Sequence, residues 1–95
     1  MSFVGAVGSD AYAEPAMKYL RSSGVDLEHV DVTDEVTGLA VITVDQEGEN
    51  TIIVVPGANA LVDDFFVSSH SSPIEAADLV LMQGEIPAEG FARAV

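Results

Sequence analysis

Glu85, in the run Asp78-Leu79-Val80-Leu81-Met82-Gln83-Gly84-Glu85, is the residue of this chain best placed by its type and position to touch a ligand. The apolar stretch Leu79–Met82 predicts a buried strand, and Glu85 falls just past its carboxyl end, where open α/β sheets hold their ligands. A carboxylate there accepts hydrogen bonds from ligand hydroxyls without itself reacting. The same position suits a plain surface acid in a strand-to-helix loop, and position alone favours that second reading. Gly5-Ala6-Val7-Gly8 lies between a predicted strand and a predicted helix and invites a phosphate-loop reading. It has neither the G-x-G-x-x-G spacing nor a Lys-Ser/Thr ending, so a tight turn explains its glycines better. His29 and His70 have no neighbours that complete a triad or a metal set, and each is expected at the surface. Asn59, in Gly57-Ala58-Asn59, is expected to hold a return loop rather than to touch a ligand.

The elements that must position these residues come from a chain of 95 residues, enough for one small domain with a modest core. A hydrophobic content of 48% argues for a packed protein. Sixteen acids against Lys18, Arg21 and Arg93 give a net charge of −13, which should repel nucleic acid and anionic membranes. The acids are scattered and form no D-x-D-x-D-G calcium loop, so a solvated acidic coat is the expectation. With no cysteine, disulfides and thiolate metal sites are excluded, which fits a reducing, cytoplasmic setting. The N-terminus has no basic n-region, and its apolar run is broken by Gly5, Gly8 and Asp10, unlike a secretory signal. No apolar stretch approaches the roughly 18 residues of a membrane span.

Phe3–Val7 predicts a buried strand entering a turn at Gly8-Ser9-Asp10, where Ser9 or Asp10 can cap the next helix. A helix follows within residues 11–22, with Pro15 in its first turn and Gly24 closing it. Val25–Val32 alternates apolar and acidic residues as a half-exposed strand would. Leu61–Ala77 predicts a short helix, a polar break over Ser68-Ser69-His70-Ser71-Ser72-Pro73, and a helical turn around Ile74 to Ala77. Leu79–Met82 is the second predicted buried strand, and Pro87 suits the N-terminus of a last helix. Strands alternating with helices imply βαβ units and a mainly parallel sheet. Two such strands cannot cover both of their faces, so the chain is expected to be a segment of a larger α/β domain or the product of a truncated reading frame.

Between the two units, Leu39–Val44 and Thr51–Val55 flank the polar tip Asp45-Gln46-Glu47-Gly48-Glu49-Asn50, the pattern of a β-hairpin. Folding back about Gly48 would set Val44 opposite Ile52, Ile42 opposite Val54, and Ala40 near Pro56. Val41, Thr43, Ile53 and Val55 form the other face, which is also mostly apolar. A hairpin apolar on both faces must cover something on one side and pack on the other.

The same stretch, Thr37-Gly38-Leu39-Ala40-Val41-Ile42, Gly48-Glu49-Asn50 and Pro56-Gly57-Ala58-Asn59-Ala60, resembles the lid of ribokinase-type members of the PfkB sugar-kinase family. Val4–Ala13 is similar to the strand, turn and helix start before that lid, and Asp78–Pro87 to the strand after it, with a sugar-contacting Glu. Nearly the whole chain is covered, in the family's order. The resemblance implies a segment of a three-layer α/β sandwich with an inserted hairpin lid. Residues 1–24 would be a strand–helix unit, 25–60 the β lid, and 61–95 a helix–strand–helix unit. It also implies ATP-dependent phosphorylation of the 5-hydroxyl of D-ribose, with Mg2+ and K+ in the complete enzyme. Glu85 would bind the sugar, and Ala40, Ile42 and Val54 would close over it. Two lids would pair into a homodimer clasp through the outer face.

The family's di-glycine sugar segment and its Gly-Ala-Gly-Asp catalytic segment do not occur here, so the chain alone is expected to lack catalytic, nucleotide and metal residues. Fructokinase-like and adenosine-kinase-like members share the general pattern; the Gly-Glu-Asn tip followed by Pro-Gly-Ala-Asn leans toward the ribokinase type. The alternative is a noncatalytic acidic module that dimerises through its hairpin or retains weak sugar binding.

Overall fold

The computed structural model describes all of residues 1–95 and holds two separate two-stranded sheets and a set of short helices. β1 (Gly5–Gly8) pairs in parallel with β2 (Val30–Thr33), Val7 lying opposite Val32, and α1 (Ala13–Ser22) makes the crossover between them. β3 (Leu39–Val44) and β4 (Asn50–Val55) form the antiparallel hairpin as a separate sheet. A 3-10 helix (Gly57–Leu61), α2 (Asp64–Ser69), α3 (Ser71–Glu75) and α4 (Ala88–Ala94) complete the chain. The segment is therefore α/β, with parallel and antiparallel pairing side by side.

Local chemistry accounts for most of these boundaries. Pro15 sits at the third position of α1, where its missing N–H has no carbonyl to reach. Gly24, at φ +80, ends that helix, and the Val25 N–H turns back to the Leu20 carbonyl at 3.1 Å. The Asp63 carboxylate accepts the Phe66 N–H at 2.9 Å and caps α2. Pro87 stands immediately before α4. The break expected over Ser68–Pro73 narrows to His70 alone, since α2 runs through Ser69 and α3 already begins at Ser71.

Ala6 from β1, Ala58 and Val62 around the 3-10 helix, and Phe66 and Val67 from α2 form the core, with Val4, Ile74, Ile86 and Ala94 packed on it. Gly90 lets α4 approach closely, because a Cβ there would lie 2.0 Å from the Val62 carbonyl oxygen. The core excludes the hairpin, whose residues 40–55 are all exposed.

Four expectations are corrected. The first strand begins at Gly5 rather than Phe3. The second strand is only Val30–Thr33, because Leu27–His29 turn, with the Val30 N–H reaching the Leu27 carbonyl; one isolated bridge joins Ser2 to Asp26 upstream. Leu79–Met82 is not a strand: residues 78–83 make no backbone hydrogen bond, and Leu79 and Leu81 are 88% and 96% exposed. A strand needs a paired neighbour, and apolar content cannot supply one.

The fourth correction is the hairpin register. Val44 faces Asn50, Ile42 faces Ile52 and Ala40 faces Val54, two residues from the expected pairing. The cause is the turn. Gly48, at φ +81, is not the apex but the last residue of a turn over Asp45–Gly48, closed by Gly48 N–H to Asp45 O at 3.2 Å. The Asp45 carboxylate also accepts the Glu47 and Glu49 N–H groups at 2.9 and 3.0 Å. A slip of two preserves the alternation, so the composition of each face is as expected.

Candidate binding groove and the root of the hairpin

The hairpin leaves the body through Val36-Thr37-Gly38 and returns through Pro56-Gly57-Ala58-Asn59. Two different attachments hold these ends. On the return side, Ala58 is fully buried in the core, and its N–H donates to the Val36 carbonyl at 2.7 Å, joining the two ends. Gly57, at φ +54, lies so close to the Val36 carbonyl that a Cβ would stand 2.2 Å from its oxygen.

On the outgoing side the attachment is polar. Thr37, 6% exposed, donates its backbone N–H to Asp10 Oδ2 at 2.8 Å and its hydroxyl to Asp10 Oδ1 at 2.6 Å. The Thr37 hydroxyl in turn accepts the Gly8 N–H at 2.9 Å. Asp10 Oδ1 also accepts the Tyr12 N–H at 3.2 Å, so Asp10 shapes the turn before α1 as well as gripping the hairpin. The Thr37 hydroxyl and N–H, both donating to the carboxylate, hold Asp10 below its ordinary pKa. Sequence reasoning placed Asp10 only as a helix cap. Its grip on Thr37 spans 27 positions and leaves no local signal.

A groove of about 470 Å³ opens beside this root. Gly38, Leu39 and Ala40 line it from the outgoing strand and Val54, Val55 and Pro56 from the returning strand, and Asn59, Gly84, Glu85 and Ile86 complete the lining. The structure thus brings together Glu85, Ala40 and Val54. Ile42 shares their strand face but lies farther out and does not line the groove. Glu85 does not follow a strand; it sits in a bend where its N–H donates to Gln83 Oε1 at 2.8 Å. Asn59 does hold the return loop, its carbonyl accepting the Val62 N–H, but it also borders the groove against Gly38.

The groove's polar side chains are one carboxylate and one amide, set against Ala40, Val54, Pro56 and Ile86. A carboxylate accepts hydrogen bonds, an amide both donates and accepts, and the aliphatic wall covers C–H surface. That combination suits a small polyhydroxylated ligand.

His70 is not a free surface residue. Its Nδ1 lies 2.7 Å from the Phe66 carbonyl and its Nε2 lies 3.0 Å from Asp31 Oδ1. The ring stacks on Phe66 and meets the edge of His29 at 5.6 Å. Both ring nitrogens face acceptors only, so the imidazolium satisfies both. The Phe66 carbonyl contributes most to raising the pKa, burial opposes it, and Asp31 adds to the rise.

The residues present do not fit a nucleotide's phosphates or a metal ion. Arg21 pairs with Glu14, Arg93 pairs with Asp64 at 3.6 Å, and Lys18 lies over the Tyr19 ring. No three His, Asp or Glu side chains come together in a set that could hold a metal. No helix is long and apolar enough to cross a membrane.

The sequence profile described as pfkB family carbohydrate kinase matches residues 1–94. The ribokinase of Schizosaccharomyces pombe is 38% identical over 90 residues, which cover 94% of this chain and 28% of that protein. A structure of Arabidopsis thaliana ribokinase complexed with ribose and ATP superposes with a TM-score of 0.83 at 34% identity, covering 98% of this chain and 32% of the other. The Thermotoga maritima ribokinase structure gives 0.80 at 31% identity, covering 95% and 29%. The chain therefore spans about three-tenths of the length of the relatives it matches.

Proposed function

The chain belongs to the pfkB family of carbohydrate kinases, and we propose that it supplies the lid and one wall of the sugar site of a ribokinase-like enzyme. The reaction is ATP-dependent phosphorylation of D-ribose at its 5-hydroxyl, in the cytoplasm. The observation that carries this reading is the groove that unites Glu85 with Ala40 and Val54 at the hairpin root. Glu85 accepts hydrogen bonds from sugar hydroxyls, and Asn59 offers an amide beside it. Ala40 and Val54 cover the C–H face of the ring, and Ile42 extends that cover outward as the lid closes. Closure excludes water, which limits loss of the phosphoryl group to solvent. Catalytic base, ATP, Mg2+ and K+ belong to parts of such an enzyme outside these residues, and this chain by itself does not transfer phosphate.

The test is the KM for D-ribose of an enzyme that contains this segment. Glu85→Ala should weaken sugar binding by about 1.5–3 kcal/mol, the worth of charge-assisted hydrogen bonds, with little change in the KM for ATP. An unchanged ribose affinity removes Glu85 from the site. Absence of any sugar phosphorylation by the wild-type enzyme removes the whole reading.

The exposure of both hairpin faces favours a further element: two lids pair through Val41, Thr43, Ile53 and Val55 in a C2 homodimer. If sugar phosphorylation is absent but dimerisation persists, a noncatalytic acidic dimerisation or sugar-binding module becomes the better reading.

A further inference from the structure

We infer that Asp10 is a positioning residue for the sugar site, acting through Thr37 to fix the angle at which the hairpin leaves the body. The inference rests on the reading of the hairpin as a lid.

The hairpin beyond its root is exposed on both faces, so no other element of this chain packs along its length to orient it. Within the chain, its orientation comes from the attachments at its base. The return strand runs into the 3-10 helix with Ala58 buried in the core, and the Ala58 N–H to the Val36 carbonyl joins the two strand ends to each other. The outgoing strand is held by the paired bonds from Thr37 to the two oxygens of Asp10. Two bonds from adjacent donors to one planar carboxylate restrain direction as well as distance. Asp10 is itself tied to the Tyr12 N–H, and Thr37 to the Gly8 N–H, which links the clamp to β1 and to the turn before α1. The carboxylate oxygens are thus engaged within the protein, as a structural pin requires.

The lever is long and the site is near its pivot. Seven residues at about 3.3 Å each carry Val44, the end of β3, roughly 23 Å from Thr37. A rotation of about 10° at the root moves Val44 by about 4 Å and shifts Ala40, about 10 Å out, by roughly 1.7 Å, using the same rise per residue. Gly38, Leu39 and Ala40, the next three residues after Thr37, line the same groove as Glu85. A displacement of about 1 Å or more at such a lining is enough to spoil binding geometry.

The chain has no cysteine, so Lys18→Cys on α1 and Gln46→Cys at the tip give two sites for spin labels. The width of the lid-to-body distance distribution reads the pin directly and needs no substrate. Thr37→Val, which keeps the shape but removes the hydroxyl, should broaden the distribution; Thr37→Ser should restore it. Asp10→Asn, which replaces one acceptor oxygen by a donor, should broaden it too and serves if Thr37→Val does not fold. In an enzyme containing this segment, Thr37→Val should raise the KM for ribose at least fivefold with the KM for ATP unchanged. A distribution as narrow as wild type in both variants overturns the inference. So does a fall in kcat with both KM values unchanged, which is the mark of a smaller folded fraction. A broadened distribution in a protein without sugar kinase activity leaves the pin standing and removes the function proposed above.

Discussion

Asp31 on β2 and His70 between α2 and α3, 39 positions apart, meet at 3.0 Å and tie the parallel sheet to the helical layer. The His70 ring is also stacked on Phe66 and held by the Phe66 carbonyl, so the contact is charged when the imidazole carries both protons.

The folded pKa of His70 is raised above its ordinary 6.5. A group raised on folding contributes stability that is fully present below the unfolded value and is lost as pH rises through the folded one. The advantage of wild type over His70→Asn in thermal midpoint should therefore be largest near pH 5.5 and shrink by pH 8.5. Equal differences at both pH values would show that the ring acts through stacking alone.

Asp10 has the opposite sign. Its folded pKa lies below 3.8, held there first by the Thr37 hydroxyl. Its contribution is present above the unfolded value and disappears as pH falls through the folded one. A carboxyl-detected NMR titration should find Asp10 low in wild type and returned toward 3.8 in Thr37→Val. An Asp10 titration unaltered by that substitution would place the cause elsewhere.

Gly90 lies inside α4, where alanine ordinarily gains about 1 kcal/mol of helix propensity. Here the added methyl meets the Val62 carbonyl, and overpacking of that kind costs about 1–3 kcal/mol. Gly90→Ala should lower the urea midpoint. A raised midpoint would mean that α4 shifts away from Val62 at little cost.

Ile53, 58% exposed at the centre of β4, lies on the face assigned to lid pairing. Sedimentation should find wild type as a dimer and Ile53→Lys as a monomer, since a charge there desolvates unpaired in the joint. A wild-type monomer at micromolar concentration would remove the clasp.

Local signals in the sequence carried the punctuation of this fold. Gly24, Pro15 and Pro87 mark helix ends because their backbone constraints act within a few residues. The hairpin and the apolar character of both its faces were legible for the same reason. Its register was not, because the position of Gly48 within the turn depends on the hydrogen bonds Asp45 makes to Glu47 and Glu49. Leu79–Met82 misled because apolar content expresses a preference for burial, whereas a strand exists only through its partner.

The candidate site divides along the same line. Glu85, Ala40 and Val54 were legible as residues, through their resemblance to a family pattern. That Glu85 and Ala40 line one groove, that Asn59 joins them, and that Ile42 does not were decided by tertiary packing. The Asp10–Thr37 clamp and the Asp31–His70 tie belong wholly to the structure, since hydrogen bonds at about 3 Å between residues 27 and 39 positions apart leave no periodicity to read. Sequence by itself determined which residues were apolar, which turned the chain, and which family it resembled. Only the folded chain decided which polar groups meet, because that depends on where the backbone brings distant segments together.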